Sequence, residues 1–475
     1  MHVAVIGAGK MGLPLACQLA RNGASVTACD INPDLVDQIN QGIAPFDEPA
    51  LPELLATMVQ QGRLRATTDT IAAAASSHVI IVIVPVLVTA DHQADLSIIN
   101  QVTEQIAPQL QPGTMVIYET TLPVGTTRRL AARIQDLIPL PWVQRGEGSL
   151  HRSSDQPAID VVFSPERVKS QLVFQRLTEN PKVVGGLTPA ATARAADFYQ
   201  TYLGAPIIPM DSPEAAEMVK LAGMIYRDVN IALANELARY AEAVGIDFAS
   251  VARAANTNGE AALLQPGIGV GGHCTPVYPY FLLQDSQQRG IPMRLTEQSR
   301  QINDSQAAYA LQRLERLWRP LAGCRVLILG LGFRPQVKEH ICSPAFLIQA
   351  ALHARGAYVQ LHDPLYQDDE LRQLGFEPGS LSQQPAPHVL VLNTAHDSFT
   401  QLDFAALAAQ GVQAVLDGRQ TWQAEAVRAA GLFYVGIGQP DQALTPGPSP
   451  KEGESRPVPR PHSRHADPLW TQGRR

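Results

Sequence analysis

The 475-residue chain has no apolar run long enough to cross a bilayer. Its longest runs, such as Val79–Val88, fall well short of the roughly 20 residues that a spanning helix needs. It also lacks the basic region and cleavage site of a signal peptide, because Met1 leads directly into a strand pattern. Charged residues are sparse, at 17%, and the formal charge of −7 offers no cationic surface for nucleic acid. Five cysteines, odd in number and scattered, exclude a disulfide framework and fit reduced thiols. These absences predict a cytoplasmic protein with no membrane and no nucleic-acid partner. What is abundant is apolar character, 45% of residues, in a chain too long for one ordinary core.

Short strand patterns alternate with Ala- and Leu-rich helical stretches from Met1 to about Pro209. The strands are Val3–Ile6, Ser25–Asp30, Val79–Val84, Thr114–Tyr118 and Val161–Phe163. That rhythm predicts an α/β domain, a parallel sheet with helices on both faces. From Ser212 to about Ala255 the period becomes helical, with Met218, Leu221, Ile225, Val229, Leu233 and Leu237 spaced along one long helix. A Gly/Pro-rich segment, Gln265–Pro279, follows. A second α/β pattern starts at Arg325 and includes Tyr358–His362, His388–Asn393 and Ala414–Asp417. The expected division is 1–209, 210–315, 316–438, and a tail from 439 to 475 too poor in aliphatic residues to order. The polar stretch Gly146–Pro157 reads as a surface loop.

Val3-Ala-Val-Ile-Gly7-Ala-Gly9-Lys10-Met11-Gly12 is a strand running through Gly-x-Gly-x-x-Gly into a helix. Gly7 permits the tight turn, Gly9 lets the backbone approach a pyrophosphate, and Gly12 packs helix on strand. The helix N-terminus then offers free N–H groups and a positive dipole end to phosphate. A second strand ends at Asp30, where a carboxylate would bond an adenosine ribose diol and repel a 2′-phosphate. No arginine follows in Ile31-Asn-Pro, so NAD is favoured over NADP. The fingerprint alone also fits FAD.

Gly267-Ile-Gly-Val-Gly271-Gly-His-Cys274-Thr-Pro is poor helix or strand material and brings backbone close to another group. Cys17, Cys29, Cys324 and Cys342 lie in or beside apolar elements and read as small buried hydrophobes. Cys274 has no core to fill, and its thiolate would be favoured by backbone N–H groups or a nearby cation.

Several further motifs accompany these two. They include Phe46-Asp-Glu-Pro-Ala-Leu, Asp95-Leu-Ser, Glu119-Thr-Thr-Leu-Pro-Val-Gly-Thr-Thr and Ser164-Pro-Glu-Arg-Val. Asn180-Pro-Lys-Val-Val-Gly-Gly and Ala216-Glu-Met-Val-Lys-Leu complete the set. Together they make the chain, nearly to Gly438, resemble the UDP-glucose/GDP-mannose dehydrogenases. The resemblance implies oxidation of a nucleotide-sugar C6 alcohol to a carboxylate with two NAD, in polysaccharide biosynthesis. The Gly-Val-Gly-Gly-His-Cys version is most similar to the branch handling UDP-N-acetylhexosamines such as N-acetylmannosamine.

The same resemblance assigns roles. Cys274 is the nucleophile that captures the aldehyde as a thiohemiacetal and then carries a thioester. Lys220 stabilises the oxyanion, Glu166 is an acid/base or water-positioning carboxylate, and Thr121 lies near the nicotinamide and water. Gly7, Gly9, Lys10, Met11, Gly12, Asp30, Pro85 and Thr121 contact the cofactor. Glu166, Lys220, Gly271 and Arg334 contact a UDP-sugar. A homodimer through the long helix and no metal are also implied.

The chain departs from the family pattern at chosen places. Met224 stands one helical turn after Lys220, where the family has asparagine, and Met donates no hydrogen bond. Tyr278 replaces an aspartate that assists thioester hydrolysis, and a phenol is a poor base at neutral pH. Ile341 replaces a substrate-binding arginine, leaving Arg334 for a phosphate. Asn258-Gly-Glu stands for His-Pro-Arg, and Val86 for the threonine of Pro-Thr-Pro. These losses cluster at substrate and hydrolysis chemistry while the NAD fingerprint is intact. They fit an altered substrate, an oxidation that stops early, or a binding paralogue without catalysis.

Overall fold

The computed structural model describes residues 1–89, 91–138, 142–144, 150–152 and 159–441. The tail beyond Asp441 and most of Gly146–Pro157 lie outside these residues. Within the latter, Leu150–Arg152 pairs as a short strand with Trp142–Gln144.

Eight strands form the N-terminal sheet, in the spatial order Ile207–Pro209, Lys182–Gly186, Asp160–Phe163, Met115–Tyr118, Val79–Val82, His2–Ile6, Ser25–Cys29, Leu64–Thr67. The central strands are apolar on both faces, since helices cover both sides, and two separate cores flank the sheet. All the anticipated strands are present, most one or two residues shorter at an end. The sheet is not wholly parallel, because Lys182–Gly186 runs antiparallel to Asp160–Phe163. Gly185 lets this strand lie close to the chain entering the long helix, since a side chain there would meet the Ser212 carbonyl oxygen at 2.3 Å.

The helical period resolves into a 31-residue helix, Pro213–Ala243, which Ser212 caps through the Ala215 N–H. Gly245, at φ +79°, ends it, and a separate helix Phe248–Ala255 follows. Its buried face is small and polar, including Ala216, Glu217, Lys220, Asp228, Ala234, Asn235 and Ala238. Several of the apolar positions read from the sequence point outward instead: Met218, Leu233 and Leu237 are each 37–40% exposed.

Five parallel strands make the C-terminal sheet, ordered Tyr358–His362, Arg325–Leu329, Val389–Leu392, Ala414–Asp417, Phe433–Gly436. Its first turn repeats the N-terminal one. Asp363, after the second strand, accepts from the Leu331 and Gly332 N–H groups, as Asp30 accepts from Ala8. In the C-terminal copy, however, the carboxylate is sealed in by buried His396 at 3.2 Å.

One cysteine assignment needs correction. Cys17, Cys29 and Cys324 are buried, but Cys342 is exposed. It sits at φ +49° in the turn before helix Pro344–His353, where the backbone twist carries its side chain away from the adjacent core.

Candidate active site

The glycine turn has the geometry of a dinucleotide cradle. At Gly7, φ +102°, a Cβ would strike the Ile83 carbonyl oxygen at 2.6 Å, and at Gly12 the Gly7 carbonyl oxygen at 1.9 Å. At Gly9 a Cβ would meet nothing within 4 Å, which leaves the backbone open to a ligand. Helix Gly12–Arg21 has no side-chain cap, so its amino end is available to an anion. Asp30 is held at the rim by N–H groups of Ala8 at 3.0 Å and Asn32 at 3.1 Å. Pro85 is exposed on the loop after Val79–Val82, and Val86 is buried beside it. These residues fit NAD.

Lys10 and Met11 belong to the same turn, but Lys10 is committed elsewhere. Its Nζ donates to Glu339 of the C-terminal domain at 2.8 Å. Glu339 is largely buried and also meets Arg334 at 3.5 Å and the Ser170 hydroxyl at 3.4 Å. Burial opposes the charge of Glu339, but Lys10 and Arg334 hold its carboxyl below the usual range. Arg334 stacks over Phe333, and its Nε has no partner among the described residues. Ile341 is 37% exposed beside this cluster and brings no charge to it.

The glycine loop does approach another group closely, and that group is protein. A side chain at Gly271 would meet Phe333 Cβ at 2.5 Å, and one at Gly269 would meet Pro344 Cβ at 2.7 Å. The Gly272 N–H donates to the Ile341 carbonyl and the Ile268 N–H to the Gly418 carbonyl. The other end of the loop is tied to the long helix: Gly267 N–H donates to Asn235, which bonds Asn303, which bonds buried Asp228. An Arg300–Asp228 ion pair of 2.6 Å completes that joint. The loop is therefore fixed at both ends before Cys274.

Around Cys274 the structure gathers the anticipated residues. Lys220, buried in the long helix, donates to the Glu166 carbonyl at 2.7 Å and lies 3.9 Å from its carboxylate. The Val168 N–H donates to the same carboxylate. Burial raises the Cys274 thiol above its ordinary value, Lys220 lowers it, and Glu166 raises it again. Thr121 is buried, and Met224 is half-buried one turn beyond Lys220. Tyr278 opens helix Tyr278–Gln288, its N–H bonded to the Cys274 carbonyl at 2.9 Å, and its ring packs on Phe281.

Beneath these lies a network that sequence reasoning missed. Buried Glu119 accepts from Lys182 at 2.7 Å and from the Tyr199 hydroxyl at 2.5 Å. Its carbonyl receives the Glu166 N–H at 3.2 Å, so the network holds the bases of both the Thr121 and Glu166 segments. The available signal was Lys182 itself, a cation heading the apolar strand Lys182–Gly186, which needs a carboxylate partner when buried. Glu48, from the Phe46-Asp-Glu motif, similarly caps helix Val173–Glu179 through the Gln171 and Val173 N–H groups.

A dinucleotide cradle, a fixed thiol and a second Rossmann-like domain closing over both define a nicotinamide-dependent dehydrogenase. Comparison gives the family. Residues 1–203 match the NAD binding domain of the UDP-glucose/GDP-mannose dehydrogenase family, 214–305 its central domain, and 327–424 its UDP binding domain. The chain belongs to this family, whose members oxidise nucleotide sugars with NAD at a CH–OH group. It is 33% identical over 437 residues to an NDP-N-acetyl-D-galactosaminuronic acid dehydrogenase of Ralstonia solanacearum, covering 90% of this chain and 97% of that one. It is 34% identical over 358 residues to a UDP-N-acetyl-D-mannosamine dehydrogenase of Escherichia coli K12, covering 73% and 81%. A solved UDP-D-ManNAc dehydrogenase from Pyrococcus horikoshii superposes with a TM-score of 0.81 at 28% identity, over 92% of this chain and 99% of that one. No helix among the described residues is long and apolar enough to cross a membrane.

Proposed function

We propose that this chain oxidises the C6 alcohol of a UDP-N-acetylhexosamine to the carboxylate through a covalent adduct on Cys274. The observation that supports the reading is that Lys220 bonds the Glu166 segment and that both charges act on the Cys274 thiol, three residues far apart in the chain. NAD, when bound, accepts hydride. Gly7, Gly9, Lys10, Met11 and Gly12 would border its pyrophosphate, Asp30 its ribose, and Pro85 and Thr121 its nicotinamide end. Lys220 steadies the negative oxygen that develops at C6, and Glu166 takes up or returns the proton. The Cys274 sulfur adds to the aldehyde as a thiohemiacetal; loss of the second hydride leaves a thioester, which water cleaves to acid and thiol. Arg334 faces the substrate phosphate, while Gly271 shapes the site by letting its loop lie flat on Phe333.

The working division follows the same logic: 1–209 for cofactor, 210–315 for the thiol and dimerisation, 316–438 for the UDP-sugar. The exposed apolar residues of the long helix support a homodimer. The cytoplasm, where NAD and nucleotide sugars are made, fits this chemistry.

The test is incubation with NAD and a panel of UDP- and GDP-sugars, scored for NADH and acid. Two NADH per acid from an N-acetylhexosamine, lost in Cys274→Ala, is expected. Folded, NAD-loaded protein that yields no NADH across the panel would instead support a second reading, a binding paralogue, which Met224 and Ile341 favour.

A further inference from the structure

The loop that leads to Cys274 leans on the C-terminal domain. The Ile268 N–H donates to the Gly418 carbonyl at 3.0 Å, and the Gly272 N–H to the Ile341 carbonyl at 2.9 Å. Arg419 Nη1 donates to the Gly269 carbonyl at 3.3 Å. Lys220, however, stands on the long helix Pro213–Ala243. A thiol and a lysine that serve one reacting carbon must keep their separation to within about 0.5 Å. The loop therefore needs a tie to the helix as well, and Asn235 supplies one.

Asn235 lies on the same unbroken helix as Lys220, about 22 Å further along its axis. Its side chain is buried, as are those of Asp228, Arg300 and Asn303. Asn235 Oδ1 accepts from the Gly267 N–H at 3.0 Å, and its Nδ2 donates to Asn303 Oδ1 at 3.0 Å. Asn303, on helix Arg294–Asp304, donates through Nδ2 to the Asp228 carbonyl at 3.0 Å and to its carboxylate at 2.8 Å. Arg300 Nη1 at 2.6 Å and the Ser299 hydroxyl at 3.1 Å brace that carboxylate.

The sense of this chain of bonds is forced at both ends. A backbone N–H only donates, so Gly267 requires the oxygen of Asn235. A backbone carbonyl only accepts, so Asp228 requires the NH2 group of Asn303, which turns the Asn303 oxygen toward Asn235. The two amides then meet with NH2 against oxygen, and each bond fixes the next. We propose that Asn235 is a positioning residue, oriented from Asp228 through Asn303, that holds the Gly267 end of the thiol loop in register with Lys220. It acts through the backbone before Cys274 and not on the reacting atoms. The stretch from Gly267 to Cys274 reaches at most about 25 Å, comparable to the run from Asn235 back to Lys220, so little slack absorbs a shift at Gly267. This role rests on Cys274 being the reacting thiol of the functional reading above.

Alkylation by iodoacetamide tests it on the full chain without any sugar, so its failure is separate from that of the functional reading. Each cysteine is followed by peptide mass. Cys17, Cys29 and Cys324, buried elsewhere, report any general loosening. Asn235→Ala leaves the Gly267 N–H unpaired, and Cys274 is expected to alkylate roughly tenfold faster as its loop opens. The three buried cysteines should keep their wild-type rates, and NAD affinity by calorimetry should be unchanged. Asn303→Ala should accelerate Cys274 in the same direction. The double variant should do so by no more than the larger single effect, because both changes break one chain. A wild-type Cys274 rate in Asn235→Ala overturns the inference, as does acceleration shared by all the buried cysteines. Single effects that multiply in the double variant also overturn it. If Asn235→Ala does not fold, Asn303→Ala decides: an unchanged Cys274 rate there overturns it equally.

Discussion

At residue scale, the site is a contest between burial and a few charges. Cys274 is pushed up by its surroundings and relies on Lys220 to come down again. Asp30, at the end of a strand, is held by the N–H groups of Ala8 and Asn32. Asp30→Ala is expected to weaken NAD binding roughly ten- to a hundredfold, the worth of a charged hydrogen bond of about 1.5–3 kcal/mol. Calorimetric titration reads this directly, and unaltered affinity would mean the ribose binds elsewhere. Met224 shows the opposite case, an apolar side chain where the oxyanion is expected to form. Met224→Asn restores a donor one turn from Lys220. Turnover of the accepted sugar should rise at least tenfold, a part of the roughly 10²–10³ that one such donor contributes. An equal or lower rate would show that the substrate has been re-sited around the methionine.

At the scale of elements, the long helix serves its neighbours more than itself. Glu217 caps helix Thr126–Leu137, accepting from the Gly125 N–H at 2.5 Å, the Thr127 N–H at 2.8 Å and the Thr127 hydroxyl at 2.7 Å. Burial outweighs these donors and raises its carboxyl to about 7. The fold therefore prefers the protonated form. The associated stability is complete below the ordinary carboxyl value and is lost as pH rises through about 7. Wild-type melting temperature should fall between pH 5.5 and 8, whereas Glu217→Gln, which cannot titrate, should show a flatter profile. Parallel profiles for the two proteins would remove Glu217 as the cause. The helix also explains why period alone misjudged its faces. Met218, Leu233 and Leu237 have the spacing of a core stripe, but small residues on the other face let the helix pack closely on Arg294–Asp304.

At the scale of the whole molecule, that helix carries an outward apolar stripe that is exposed among the described residues. Tyr226 is 63% exposed, Tyr240 69%, and Leu233 and Leu237 lie between them. A contiguous apolar stripe of this kind marks an interaction surface. The double variant Leu233→Asp/Leu237→Asp is expected to convert a dimer to a monomer in light scattering, with the far-ultraviolet spectrum unchanged. A wild-type mass of a single chain would reject the dimer. The Lys10–Glu339 pair is the other whole-molecule feature, since it joins the cofactor turn to the C-terminal domain. Half-exposed Lys10 makes it a modest contributor to stability.

The sequence by itself determined what depends on near neighbours in the chain. The alternation of strand and helix, the Gly7–Gly12 turn with Asp30, and the loop holding Cys274 all follow from local periodicity and backbone freedom, and they were legible. Tertiary structure alone decided which groups stand opposite one another. Nothing near Lys10 in sequence announces Glu339, and nothing near Lys182 announces Glu119. Such pairs form because sheets and helices fold distant segments together, and burial then requires every charge and hydroxyl brought inside to find a partner. Three of the four glycines expected to bring the backbone close to another group, Gly269, Gly271 and Gly272, pack on Phe333 and Pro344. The dinucleotide site was thus written in the first thirty residues, and the surroundings of the thiol were written only in the fold.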